Sequence, residues 1–308
     1  MIPTVLNNLL PLRRLSLTIG LTIATFTCGT YVTPAIALTA SSINAGNLKV
    51  DLSETFTEAQ AQASGAARVT VGNTTIYIGT KQVSTIDQNP IVLSYTSGVQ
   101  DWFFFHEQTP PDSRGIGLLV DYSGTTINSL YAAFTTDGGS TDPNGIQRFT
   151  TGGWLTSYGS GGGAYATVLL KLDPSTGNGL SGTFVRSQLS SGNTNTLIPT
   201  GLGFDGSGNV VLNASAYFTP LDVDKTLLDV SSLGSSPFAY TLTLSPNLSS
   251  AISASVGPAT PVPFEADSSL GVVILAGLGG LVHYRRRRGS RKLESLHPSA
   301  QTPNPQES

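Results

Sequence analysis

The chain of 308 residues carries 16 basic and 19 acidic side chains, a formal net charge of −3, and only 11% of its residues are charged, against the usual quarter or so. So light a charge, with no basic cluster in the body of the chain, offers no footprint for nucleic acid. The single cysteine, Cys28, lies close to the N-terminus, which excludes disulfides, thiolate nucleophiles and cysteine metal sites from everything after it.

Arg13-Arg14 precede a mostly apolar run from Leu15 to Val32, and Ala35-Ile36-Ala37 follows as a small-x-small site. Residues 1–37 therefore read as a secretory signal peptide, cut by signal peptidase after Ala37 with Ala35 and Ala37 as the recognised pair. Leu12 and Ser16 fit a twin-arginine signal poorly, so general secretion is expected. Thr25 and Thr27 argue against lipoprotein processing at Cys28. The domain left behind, Leu38 to Val262, keeps 15 of the 19 acidic and 8 of the 16 basic residues, a balance of −7.

Residues 38–66 form a mixed, polar N-terminal segment. Within it Ser53–Ser64 predicts a short helix, capped by Ser53 and stopped by Gly65. From residue 67 to 256 the pattern is β. Arg68–Val71 and Thr75–Ile78 alternate around Gly72-Asn73 as a hairpin, and Ile91–Tyr95 is a further strand. Trp102-Phe103-Phe104-Phe105 is a bulky run that predicts a strand buried on both faces. Thr109-Pro110-Pro111-Asp112 then breaks the pattern into a loop.

A weak internal repeat follows. Gly115–Gly124 is echoed 84 residues later by Gly201–Gly208, each an apolar strand ending at Asp-x-Ser-Gly. Aspartate can bind backbone amides two residues on and glycine accepts positive φ, so both copies predict a turn between strands. Thr167–Pro174 and Tyr240–Asn247 are two more strand-to-turn units. Lys171-Leu172-Asp173-Pro174 and Asp205-Gly206-Ser207-Gly208-Asn209 resemble the units of bacterial β-propeller-type repeat proteins. The match departs at Val211–Ala214, where such units usually have Tyr and Gly. The expectation is an all-β fold: one exported domain, either a β-sandwich or a small propeller-like ring.

Residues 257–267 (Gly257, Pro258, Pro261 and Pro263 among them) read as a linker. The stretch 268–284 carries no Asp, Glu, Lys or Arg, and as a helix it measures about 25 Å, near the lower limit for crossing a lipid bilayer. Gly271, Gly277, Gly279 and Gly280 punctuate it, and Ala276 with Gly280 forms a small-xxx-small pair. Arg285-Arg286-Arg287-Arg288 follow as a cytoplasmic stop, which leaves the preceding domain outside. Residues 285–308 read as this basic cluster and a disordered polar tail.

This order of Pro263-Phe264-Glu265, apolar span and arginine cluster resembles the PEP-CTERM sorting signal of bacterial surface proteins, in the Pro-Phe-Glu variant of cyanobacterial members. The resemblance covers about residues 261–292. It implies a membrane-anchored precursor, cleaved near the motif by an exosortase-like membrane peptidase and then released or transferred to the cell surface. Such tails usually end soon after the basic cluster, whereas this chain continues to Ser308.

Chemistry is scarce in the exported domain. His106, followed by Glu107, is its only histidine, and no nucleophile-elbow motif accompanies it. One histidine without cysteine excludes a His-rich zinc site. Asp137–Gly145 clusters oxygen ligands but lacks the spacing of a calcium loop. Asp222 and Asp224 share one face if they lie on a strand. Gly159–Gly163 lacks the Lys-Ser/Thr ending of a phosphate cradle. No catalytic residue, metal or cofactor is expected. Two classes remain: a non-enzymatic surface or matrix protein, and a carbohydrate-binding or carbohydrate-active protein that meets extracellular polysaccharide through carboxylates such as Asp205, Asp222 and Asp224.

Overall fold

The computed structural model describes residues 37–105, 111–139 and 145–258, and β-strands dominate them. Every sheet is antiparallel, in keeping with the all-β expectation. The first sheet is a meander of β2 (Ala67–Val71), β3 (Thr74–Gln82), β4 (Gln88–Thr96) and β5 (Val99–Phe105). The middle sheet places β1 (Leu38–Ile43) beside β6 (Ser113–Ser123), followed by β7 (Thr126–Thr136), β8 (Ala166–Leu172) and β9 (Gly179–Val185). The third joins β12 (Leu197–Phe204), β13 (Val210–Ala216), β15 (Phe238–Leu244) and β16 (Ala251–Pro258). Two-residue strands β10 (Ser187–Gln188), β11 (Thr194–Asn195) and β14 (Thr219–Pro220) make a small fourth sheet.

The turns follow local chemistry. Gly72-Asn73 links β2 to β3 with Val71 opposite Thr74. Both halves of the internal repeat are hairpins, β6–β7 and β12–β13. In the second, Asp205 Oδ1 accepts from the amides of Ser207 (2.8 Å) and Asn209 (2.9 Å). Asp173 does the same for Ser175 and Thr176 between β8 and β9. In the first copy, Asp121 stays inside β6 beside a register shift, so the repeat holds for the hairpin and not for the aspartate.

The middle sheet is covered on both faces. Leu130 through Thr136 of β7 and Ala166 through Leu170 of β8 are all buried, without the alternation of a half-exposed strand. Phe134 stacks on Phe104 of the first sheet, centroids 6.0 Å apart. Tyr131, three residues away and so on the opposite face, meets Phe204 of the third sheet edge-on at 5.7 Å and donates to Pro246 O at 2.7 Å. Thr167 Oγ1, buried inside this core, is paired as burial favours, donating to Leu197 O at 2.7 Å.

Two-sided burial was expected of Trp102–Phe105, and here the structure differs. These residues lie on β5, the edge of the first sheet. Trp102 and Phe104 point into the core while Phe103 is 49% exposed, because an edge strand keeps one flank open and, among the described residues, nothing covers its outer face at that position.

The segment 38–66 is built into the stack. β1 pairs with β6 from Leu38↔Tyr122 to Ile43↔Gly117. Leu52, Ala61 and Ala66 then cover the outer face of the first sheet, against Tyr77, Ile91, Leu93 and Tyr95. The helix there, α1 (Glu58–Ala63), is shorter than the sequence predicts. Thr57, not Ser53, caps it, in a reciprocal capping box with Gln60; Ser53 Oγ instead accepts from the Thr55 amide. Asn44 joins the layers. Its buried amide donates to Ile78 O (3.2 Å) and Gly115 O (3.1 Å) and accepts from the Ala67 amide (2.7 Å).

Candidate functional site

The residues singled out from sequence do not converge. Ala35, His106, Glu107, Asp142, Pro263, Phe264, Glu265 and Arg285 through Arg288 lie outside the described residues, as does the span 268–284. Among the described residues no helix is long and apolar enough to cross a membrane. Ala37 immediately precedes β1.

Asp222 and Asp224 sit in a tight turn between Leu221 and Leu227, not on a strand, so they share no sheet face. Asp222 Oδ1 accepts from the Val223 amide at 2.7 Å, and Asp224 Oδ1 from Thr226 Oγ1 at 2.6 Å and its amide at 3.0 Å. The hydroxyl of Thr226 holds the Asp224 carboxyl below its usual range, and the side chain of Asn209 does the same for Asp205. These acids build turns.

Asp137 is closer to another acid. Its Oδ1 accepts from the Asp112 amide at 2.8 Å, and Gln88 donates to both Asp112 oxygens, at 3.1 and 3.0 Å. Burial pushes the Asp137 carboxyl above its ordinary range, and the neighbouring Asp112 charge adds to the effect. The pair ties the start of β4 and β6 to the end of β7. Among the described residues no three His, Cys, Asp or Glu side chains assemble into a metal-binding group.

A polar site lies where the first and middle sheets diverge. A cleft of about 340 Å³ is lined by Thr74, Ser94, Thr96, Asp101, Trp102, Thr125, Ile127, Pro174 and Ser175. A bulge creates it. Ser94 faces Trp102 but Tyr95 faces Gln100, leaving Asp101 as an extra residue on β5. Such an insertion re-aims a side chain, and Asp101 turns toward the inner-face hydroxyls of β4. Its Oδ2 accepts from Ser94 Oγ (3.1 Å) and Thr96 Oγ1 (2.8 Å), and Oδ1 has no protein partner among the described residues. Thr96 Oγ1 also lies 2.9 Å from Thr74 Oγ1.

The rims of the cleft are fixed. Trp102, 8% exposed, donates its indole N–H to Pro174 O at 3.0 Å. Gly177 has φ +74, and a Cβ there would fall 2.4 Å from the Trp102 ring. Gly72 has φ +58, and its Cβ would fall 2.8 Å from Thr125 Cγ2. Both glycines admit a conformation and an approach that no larger residue allows.

A second groove, about 430 Å³, follows the edge of β5 that no described strand pairs, between Phe103–Phe105 and the segments Arg148–Phe149 and Gly177–Gly179. It is aromatic where the first is hydroxylated. Sequence reasoning passed over Asp101, because a bulge leaves no local signature. The available signal is Ser94 and Thr96, two hydroxyls spaced by two on the face of β4 where Val92 is core.

Comparisons with protein-family models, curated proteins and solved structures find no match to this chain.

Proposed function

We propose that this chain is an exported cell-surface or extracellular-matrix protein, delivered and processed through its C-terminal tail by an exosortase-like membrane peptidase. The observation that carries the reading is the order of Pro263-Phe264-Glu265, the stretch 268–284 without Asp, Glu, Lys or Arg, and Arg285–Arg288. In this reading signal peptidase cuts after Ala37, the apolar span holds the precursor in the bilayer, and the arginines keep its end in the cytoplasm. The Pro-Phe-Glu segment then meets the processing enzyme just outside the membrane.

The domain suits that role. Leu38 to Val262 contains no cysteine, so its stability rests on packing in any redox compartment. Its architecture is read as a three-layer β-sandwich whose repeating unit is a blade-like meander of four antiparallel strands. The support is the two-sided burial of β7 and β8 between two other sheets. Asp205, Asp222 and Asp224 each serve their own turns, which favours a non-enzymatic role over hydrolysis by those carboxylates.

Replacing Pro263-Phe264-Glu265 by three alanines tests the reading. Full-length protein should accumulate in the membrane fraction, while the parent chain loses its tail. Identical processing of both would refute it.

A further inference from the structure

The lining of the Asp101 cleft defines its ligand by elimination. Ile127, Pro174 and Trp102 give it an apolar flank beside five side-chain hydroxyls and one carboxylate, so a wholly apolar guest would strand Asp101 Oδ1. An anion would face Asp101 with no lysine or arginine in the lining. A calcium ion takes six to eight oxygens, several of them usually carboxylate, and this cleft has a single acid. What remains is a neutral molecule dense in hydroxyl groups, with C–H faces for the apolar flank.

We propose that the cleft between β5 and the β6–β7 and β8–β9 turns binds one unit of a neutral saccharide. Asp101 Oδ1 is the anchoring acceptor. A carboxylate oxygen takes hydroxyl donors in a charge-assisted bond, about twice as strong as a neutral one. Ser94, 1% exposed, and Thr96 spend their protons on Oδ2 and thereby set the orientation of Oδ1. Thr125, exposed on one rim, supplies a hydroxyl that both gives and accepts, while Ser175 on the other, its proton donated to Asp173 Oδ1 at 2.6 Å, offers an acceptor oxygen. Pro174 and Ile127 meet the C–H face of the sugar. Because Trp102 bonds Pro174 and Gly177 packs on its ring, the site is formed before ligand arrives, which lowers the cost of binding. The inference does not depend on how the chain is delivered.

The test uses the full chain, 15N-labelled, titrated with neutral gluco-, galacto- and manno-oligosaccharides while the two tryptophan indole signals are followed by NMR. At least one saccharide should shift the Trp102 signal and leave Trp154, whose indole bonds Val223 O, in place. Asp101→Asn retains acceptors for Ser94 and Thr96 and should weaken that affinity at least about tenfold, the effect of losing a charged hydrogen-bond partner. Thr125→Val and Ser175→Ala, both in exposed turns, should each weaken it by a smaller factor, and they carry the test if Asp101→Asn does not fold. The proposal is overturned if no saccharide moves the Trp102 signal, if binding survives all the variants unchanged, or if calcium alone produces the same shift.

Discussion

Replacing Asn44 by alanine removes three hydrogen bonds at the point where β1, the first sheet and β6 meet. Two are donated to Ile78 O and Gly115 O and one is accepted from the Ala67 amide. Asn44 is 5% exposed, so the Ala67 amide, itself buried, loses its partner. At about 1 kcal/mol for each net hydrogen bond the loss is about 3 kcal/mol. An open groove lined by Asn44, Ala66 and Ala67 adjoins the junction; water entering there keeps the loss below about 4 kcal/mol. For a domain of this size that corresponds to a fall in Tm of roughly 6–12 °C. Urea titration at pH 7 reads it directly.

Asn44→Asp sharpens the test. It keeps the acceptor for Ala67 and points a carboxylate at two carbonyl oxygens, so the folded pKa of the new acid rises above its unfolded value of about 3.9. Stability is then fully present below that unfolded value and lost as pH rises through the folded one. The reasoning fails if Asn44→Ala costs under about 1 kcal/mol, or if Asn44→Asp is equally stable at pH 4 and pH 7.

Asp137 follows the same sign rule. Burial, with Asp112 adding, raises its folded pKa, so its contribution is complete below the ordinary carboxylate pKa and falls as pH climbs through the raised value. Asp137→Asn, which still accepts from the Asp112 amide, should unfold at higher urea than the parent at pH 7. The two should converge near pH 3.5, as thermal or urea melts at both pH values would show. Phe134→Ala should cost about 3–5 kcal/mol, whereas Phe103→Ala should change stability by less than about 1 kcal/mol. Equal costs in urea titrations would contradict an enclosed β7 and an edge β5.

What the sequence made legible was local. Gly72-Asn73, Asp173-Pro174 and Asp205–Asn209 announce their turns because the aspartates bond their own amides and the glycines adopt positive φ. Layering was not legible. Leu38–Ile43 is mixed in polarity, and nothing in it foretells pairing with β6 some 80 residues on. Trp102–Phe105 is bulky enough for a two-sided core, yet side-chain size does not say whether a strand sits at an edge. The cleft was hidden for a related reason. Asp101 is an unremarkable acid until a one-residue bulge turns it toward Ser94 and Thr96. Asp222 and Asp224, more suggestive on paper, serve the Leu221–Leu227 turn.

The intact mass of the parent protein recovered from the cell surface or medium tests the central reading most directly. Export with sorting-type processing gives a chain that begins at Leu38 and ends near Pro263-Phe264-Glu265. A surface or secreted form that still begins at Met1, or that retains Gln301–Ser308, would contradict it.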